Sequence, residues 1–207
     1  RTVASDERQG EALARLAHHV LQEELPEEVD ATQAHVARVI NGEDLYAEAL
    51  SSQFNEALGV VFDGGAEDPR LLDPVLYTGG PDQGARELER AVSADTQAAP
   101  RVVILFGLPE VWDIITAYDE YAREELGRED TIYIVPGQAK DLQRAETIEA
   151  RFIGRVWGTA LADSADASYT PYQNFRLRYQ DKYFADPDRL QFVSNAYDAV
   201  YALAIAA

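Results

Sequence analysis

"RVVILFG", residues 101–107, is the stretch that decides the fold. Val102 to Phe106 are apolar without a polar break. A strand with one wet face alternates apolar and polar side chains. A strand that is apolar throughout is covered on both faces, as in a parallel sheet packed between helices. Directly after it, "LPEVWDIITAYDEYAREELG" (108–127) carries apolar side chains at helical spacing and runs to Gly127, a helix-terminating residue. "TIYIVPG" (131–137) is a second buried run. Strand, helix and strand joined by short connections predict a βαβ unit with a right-handed crossover.

The pattern continues outward in both directions. "AHVARVIN" (34–41) is a β-branched run ending at a turn-forming Asn41-Gly42, with His35 at its head. "EDLYAEALSSQFNEALG" (43–59) reads as a helix stopped by Gly59, and residues 60–74 as an irregular excursion rich in Asp, Gly and Pro. "PVLYTGG" (74–80) supplies another strand and "ARELERAVSAD" (85–95) the helix after it. At the start, "SDERQGEALARLAHHVLQEEL" (5–25) predicts a helix capped by Ser5 or Asp6, with Leu13, Leu16 and Val20 on its inner face. Beyond residue 137, "AKDLQRAE" (139–146) predicts a helical turn and "FIGRVWGTAL" (152–161) a last strand. "TPYQNFRLRYQDKYF" (170–184) predicts a helix with proline in its first turn. Strands and helices that alternate in this way give an α/β fold: a Rossmann-like parallel sheet with helices on both faces.

The final stretch, "FVSNAYDAVYALAIAA" (192–207), contains one charged side chain, Asp198, in a chain whose formal net charge is -19. Phe192, Ala196, Val200 and Leu203 form one apolar stripe, and Val193, Tyr197, Tyr201 and Ile205 a second beside it. A surface helix needs one stripe, so this helix is expected to be covered on most sides by something beyond the chain.

With 37 acidic and 18 basic residues, the chain is poorly suited to nucleic acid or an anionic membrane surface. No apolar run approaches the length of a membrane span. Zero cysteine excludes disulfides and thiolate metal sites. His18 and His19 are adjacent on a helix and point about 100° apart, so they cannot chelate one ion together. "GGPDQG" (79–84) lacks both the P-loop lysine and the dinucleotide fingerprint spacing, and no G-x-S-x-G elbow occurs. Neither a metal, a cofactor nor a catalytic constellation is expected. The general rule for open parallel sheets places ligands at the carboxyl ends of the strands. Those ends are Asn41-Gly42-Glu43-Asp44, Phe106-Gly107-Leu108-Pro109 and Pro136-Gly137-Gln138, with Tyr46 and Trp112 just inside the helices that follow the first two.

Three segments, taken in order, resemble the type I periplasmic binding proteins of the branched-chain amino acid receptor group. "RTVASDERQGEALARLA" (1–17) looks like the opening of their second lobe. "GEDLYAEALSSQFNEAL" (42–58) looks like their strand-turn-helix segment, and "RYQDKYFADPDRLQFVSNAYDAVYALAIA" (178–206) like their return toward the first lobe. The resemblance implies a ligand-binding lobe over residues 1–190 and a crossover and return helix over 191–207, with a first lobe outside these residues. It implies an extracytoplasmic, periplasmic-type solute receptor that closes on a small polar molecule, such as an amino acid, for an ABC transporter or a sensor protein. It also implies ligand-facing positions at Tyr46, Gly107, Leu108, Gln138 and Phe192. Gly137 and Gln138 fall where amino-acid receptors often offer an acidic group to the ligand ammonium, and neither is acidic here. The return helix could also recruit a second copy and give a dimer.

Two other readings differ in what they require of the strand-end loops. An enzyme on a Rossmann-like sheet needs a convergent His, Ser or Lys there, which the sequence does not offer. An interaction protein that kept the lobe fold without ligand binding needs a filled cleft, against which Tyr46, Trp112 and Phe192 argue.

Overall fold

The structure is a computed structural model and describes residues 6–25, 34–62, 64–93, 99–139, 150–152, 154–159 and 170–184. The chain divides into two compact units. One comprises Asp6–Lys140 and Ile148–Thr159; the other comprises Arg1–Ser5, Asp141–Thr147 and Ala160–Ala207.

The first unit holds the sheet. Helix α1 (Asp6–His19) continues into a π-helical turn at Val20–Glu24. Strand β1 (Val36–Asn41) leads to α2 (Leu45–Val61), β2 (Val75–Tyr77) to α3 (Pro81–Ser93), and β3 (Val102–Phe106) to α4 (Val111–Glu125). β4 (Ile132–Val135) and β5 (Val156–Gly158) follow. The five strands lie in the order β2-β1-β3-β4-β5, and every pairing is parallel. The runs at 101–107 and 131–137 are direct neighbours, with Val102 opposite Ile132 and Ile104 opposite Ile134.

Alternation along each strand separates two cores, one on each face of the sheet. Val39, Val103, Leu105, Tyr133 and Val135 pack with Leu88 and Val92 of α3 and Ile114, Ile115 and Tyr118 of α4. Val36, Ile40, Val102, Ile104, Phe106 and Ile134 pack with Leu13 and Ala17 of α1 and Leu50, Phe54 and Leu58 of α2. The near-continuous apolar strands exist because both faces are covered. Gly84 lies within α3 where α4 approaches it closely. A Cβ there would stand 2.6 Å from Ile114 Cδ1. Arg38 is a charged residue in the middle of β1, and it is 6% exposed. Its guanidinium donates to Asn55 Oδ1 at 2.8 Å and to the Leu72 carbonyl at 2.9 Å. Burial pulls its pKa down, and Asp73 opposes that shift.

Boundaries differ from the sequence reading at three elements: the last strand, expected over 152–161, is confined to Val156–Gly158 behind a 3-10 turn at Ala150–Phe152, and two helices also shift. α2 runs through Gly59 to Val61 and ends where Phe62 turns extended, its N–H bonded to the Leu58 carbonyl. Phe62 is buried, so the demand to bury an aromatic ring sets the helix end and the glycine does not. α3 begins at Pro81, four residues before the helix expected at 85–95. Proline suits a first helical position because the N–H it lacks would have no partner there.

Of the second unit, one helix is described: α5 (Thr170–Tyr183), with proline in its first turn as expected. Its Tyr179 and Tyr183 rings stand 4.7 Å apart. The expected helical turn at 139–146 falls mostly, and the boundary at residue 190 and the return helix 192–207 fall wholly, outside the described residues.

Candidate functional site

The sheet order places a reversal between β1 and β3: the chain steps from β1 outward to β2, then returns past β1 to build β3, β4 and β5. In open α/β sheets the crevice at the carboxyl ends of such strands is where ligands sit. The register brings Asn41 of β1 beside Tyr77 of β2, and Ile40 beside Phe106 of β3. The loops that follow these strands therefore share one edge.

Tyr46 reaches this edge from the first turn of α2. Asp44 caps that helix, its Oδ1 accepting the Tyr46 N–H at 2.9 Å. The Tyr46 ring packs against the core beneath α1 and α2. Its hydroxyl lies between two side-chain amides: Gln9 of α1, with Oε1 at 3.0 Å, and Gln138, with Oε1 in closer contact. A phenol has one proton, so it donates to one of the two amide oxygens at a time. Gln9 is 7% exposed, and its Nε2 has no partner among the described residues. Gln138 sits in a short 3-10 turn, Gly137–Ala139, directly after β4. That turn is held from its other side by Trp112, whose indole Nε1–H donates to the Ala139 carbonyl at 2.8 Å.

Gly107 and Leu108 follow β3, between the β1 and β4 ends. Gly107 is buried, and its open side is filled from within. A Cβ there would meet Glu110 Oε1 and Val111 Cγ1, each at 2.8 Å. The glycine thus makes room for the protein's own Glu110 carboxylate. Leu108 is 41% exposed and turns outward. Glu110 Oε1 accepts from Asn41 Nδ2 and from the Leu108 N–H, both at 3.1 Å, and from the Tyr77 hydroxyl at 3.3 Å. Burial pushes the Tyr77 phenol above its ordinary pKa, and the Glu110 carboxylate beside it adds to the shift.

The edge is electrostatically one-sided. Residues 41–46, 77–80, 107–112 and 136–139 include Glu43, Asp44 and Glu110 and no lysine or arginine. Arginines stand instead before the strands at the opposite end: Arg101 before β3, Arg128 before β4, and Arg151 and Arg155 before β5. Among the described residues, no group of three or more His, Asp or Glu side chains could hold a metal ion.

Four of the five positions expected from sequence, Tyr46, Gly107, Leu108 and Gln138, thus lie at one edge, and Phe192 lies outside the described residues. Sequence reading missed Gln9 and Glu110. A carboxylate three residues past a strand-end glycine is a usable signal for Glu110. Gln9 carries no such signal, because its partners are 37 residues or more away.

A five-stranded parallel sheet of this order, helices on both faces, is the fold of one lobe of a type I periplasmic binding protein. The likeness is to the leucine-binding protein LivK of Thermotoga maritima, at 20% sequence identity and a TM-score of 0.62. It covers 90% of this chain and 46% of LivK, so the chain spans less than half of that protein's length. No protein family and no curated protein matches the chain by sequence.

Proposed function

We propose that this chain supplies a ligand-binding lobe of an extracytoplasmic solute receptor. It would close with a second lobe around a small polar molecule, an amino acid being one candidate, and serve a transporter or a sensor. The observation that carries this reading is the side-chain contact between Tyr46 and Gln138 at the carboxyl edge of the sheet. Two residues from separate loops place an aromatic ring and an amide together where ligands of such folds bind. The likeness to LivK supports the lobe fold, and the leucine bound by that protein makes amino acids the first ligands to try. Among the described residues no helix is long and apolar enough to cross a membrane.

The experiment is a calorimetric titration of the intact protein with the twenty common amino acids and their amides, one at a time. Saturable one-to-one binding of any member, weakened by Tyr46→Ala, supports the reading. Binding that is indifferent to Tyr46→Ala counts against it.

One observation favours a second reading, an interaction protein on the same fold. Leu45 is 83% exposed and Leu108 41% exposed beside a crevice that Glu110 already fills. Failure of the whole panel, together with capture of a protein partner that Leu45→Glu abolishes, would select this reading.

A further inference from the structure

We propose that Asn41 Nδ2, the Leu108 N–H and the Tyr77 hydroxyl form an anion site at the β1/β3 crevice that the protein fills with its own Glu110 carboxylate. The three donors come from the ends of three different strands and converge on one oxygen, Glu110 Oε1, at 3.1, 3.1 and 3.3 Å. A carboxylate accepts several such bonds, and ionised acceptors make the stronger ones. The donors are oriented for this role in advance. Asn41 Oδ1 accepts the Glu43 N–H at 3.0 Å, which fixes the amide so that its NH2 faces Glu110. Tyr77 is 1% exposed and held in the core, so its hydroxyl has little freedom to turn elsewhere. Gly107 leaves the space that the carboxylate occupies, since a Cβ would stand 2.8 Å from Glu110 Oε1.

The filled site has a consequence for recognition that rests on the solute-binding reading. A fixed negative charge in the crevice, with Glu43 and Asp44 on the neighbouring loop, bars a ligand's carboxylate or phosphate from this lobe. The ligand must turn an uncharged or cationic group toward it.

The experiment empties the site and offers a substitute. Wild type, Glu110→Ala and Glu110→Gln forms of the intact protein are melted in sodium acetate and in sodium chloride of equal ionic strength. In chloride, Glu110→Ala is expected to melt below wild type. Acetate is expected to raise its melting temperature saturably by roughly 3–6 °C over chloride. Formate should act in the same way and ethylammonium should not. Wild type and Glu110→Gln, whose side chains fill the cradle, should show no acetate-specific rise. An acetate response equal in all three forms, or absent from folded Glu110→Ala, overturns the proposal. If Glu110→Ala does not fold in chloride, recovery of its far-ultraviolet circular dichroism on refolding into acetate supports the site. No recovery in either salt, with Glu110→Gln folded, overturns it. Binding of amino acids is read separately by the panel titration, so failure of one idea is distinguishable from failure of the other.

Discussion

Tyr46 and Gln138 stand 92 residues apart in sequence and meet through hydroxyl and side-chain amide. The contact ties the start of α2 to the turn after β4 across the end of β3. Gln9 shares the same hydroxyl from α1, so three segments depend on one phenolic oxygen. Tyr46→Phe keeps the ring and deletes that oxygen. Gln9, buried and already without a partner for its Nε2 among the described residues, then loses its remaining bond. The expected cost is about 1–3 kcal/mol of stability, the penalty of leaving a buried polar group unpaired. Urea unfolding checks it. A midpoint equal to wild type would show that water serves Gln9 as well as Tyr46 does.

Ligand affinity should respond to Tyr46 and ignore His18. Tyr46→Ala removes ring area at the strand-end edge and should weaken binding by roughly 1–3 kcal/mol. His18 sits on α1 with its ring edge-on to Phe62 at 5.5 Å, away from the strand ends. His18→Ala should leave affinity unchanged. Calorimetry on both variants decides, and the reverse pattern would remove Tyr46 from the site.

Gly107→Ala should destabilise the protein by about 1–3 kcal/mol, because its Cβ must push aside Glu110 or Val111 from 2.8 Å. If the Glu110 carboxylate is the main obstruction, Gly107→Ala in a Glu110→Ala background should cost less than it does alone. Additive costs in denaturant titration would place the obstruction at Val111 instead.

How much of this was legible in the sequence follows from where each signal resides. β3 and β4 were readable because Val102–Phe106 and Ile132–Val135 are apolar on both faces, and only a covered parallel sheet requires that. The end of α2 was misread because Gly59 looks like a stop, while the true stop is the burial of Phe62, a tertiary demand that local pattern does not carry. Tyr46, Gly107, Leu108 and Gln138 followed from one topological rule about strand ends. The rule locates an edge but does not say what fills it. Glu110 over Gly107 and Gln9 against Tyr46 are convergences of segments distant in sequence, so they became visible only once the sheet order was known.

The pair Asp68 and Arg70 should make stability fall in acid. Arg70 donates Nε and Nη2 to the two Asp68 oxygens at 2.9 and 2.8 Å. These bonds hold the Asp68 carboxyl below its ordinary value of 3.8. A depressed folded-state pKa gives stability that is present above the unfolded value and is lost as pH falls through the folded one. Asp68→Asn should therefore be less stable than wild type at neutral pH, and the gap should narrow below about pH 4. Thermal melts across that range test it, and a gap independent of pH would assign the effect to the lost hydrogen bonds alone.

The ion cluster at the opposite edge should be the most costly single side chain to disturb. Asp119 of α4 is 2% exposed. Arg155 Nη1 donates to its Oδ1 at 2.8 Å, Arg155 Nη2 reaches Oδ2 at 3.3 Å, and Arg151 Nε lies 3.6 Å from Oδ2. The Tyr133 hydroxyl donates to Oδ1 at 3.1 Å, and burial, with Asp119 beside it, pushes that phenol above its ordinary pKa. Arg155 also donates to the Thr131 carbonyl at 3.2 Å and, through Nε, to the Arg151 carbonyl at 2.7 Å. One guanidinium thus joins α4, the start of β4 and the turn before β5. Asp119→Ala takes the carboxylate away from the largely buried Arg155 guanidinium, and should cost about 3–5 kcal/mol in urea unfolding. Arg155→Met should cost less, because it removes a charge and keeps an apolar stem. The double variant should be more stable than the sum of the two losses allows, by about 1–3 kcal/mol, since the partners are in contact. Hydrogen exchange gives a second reading: the Tyr133 N–H, bonded to the Arg155 carbonyl at 2.8 Å, should lose protection in Asp119→Ala beyond the global loss. Strict additivity, with Tyr133 exchange following global stability alone, would mean that apolar packing, and not this charge cluster, holds β5 to the sheet.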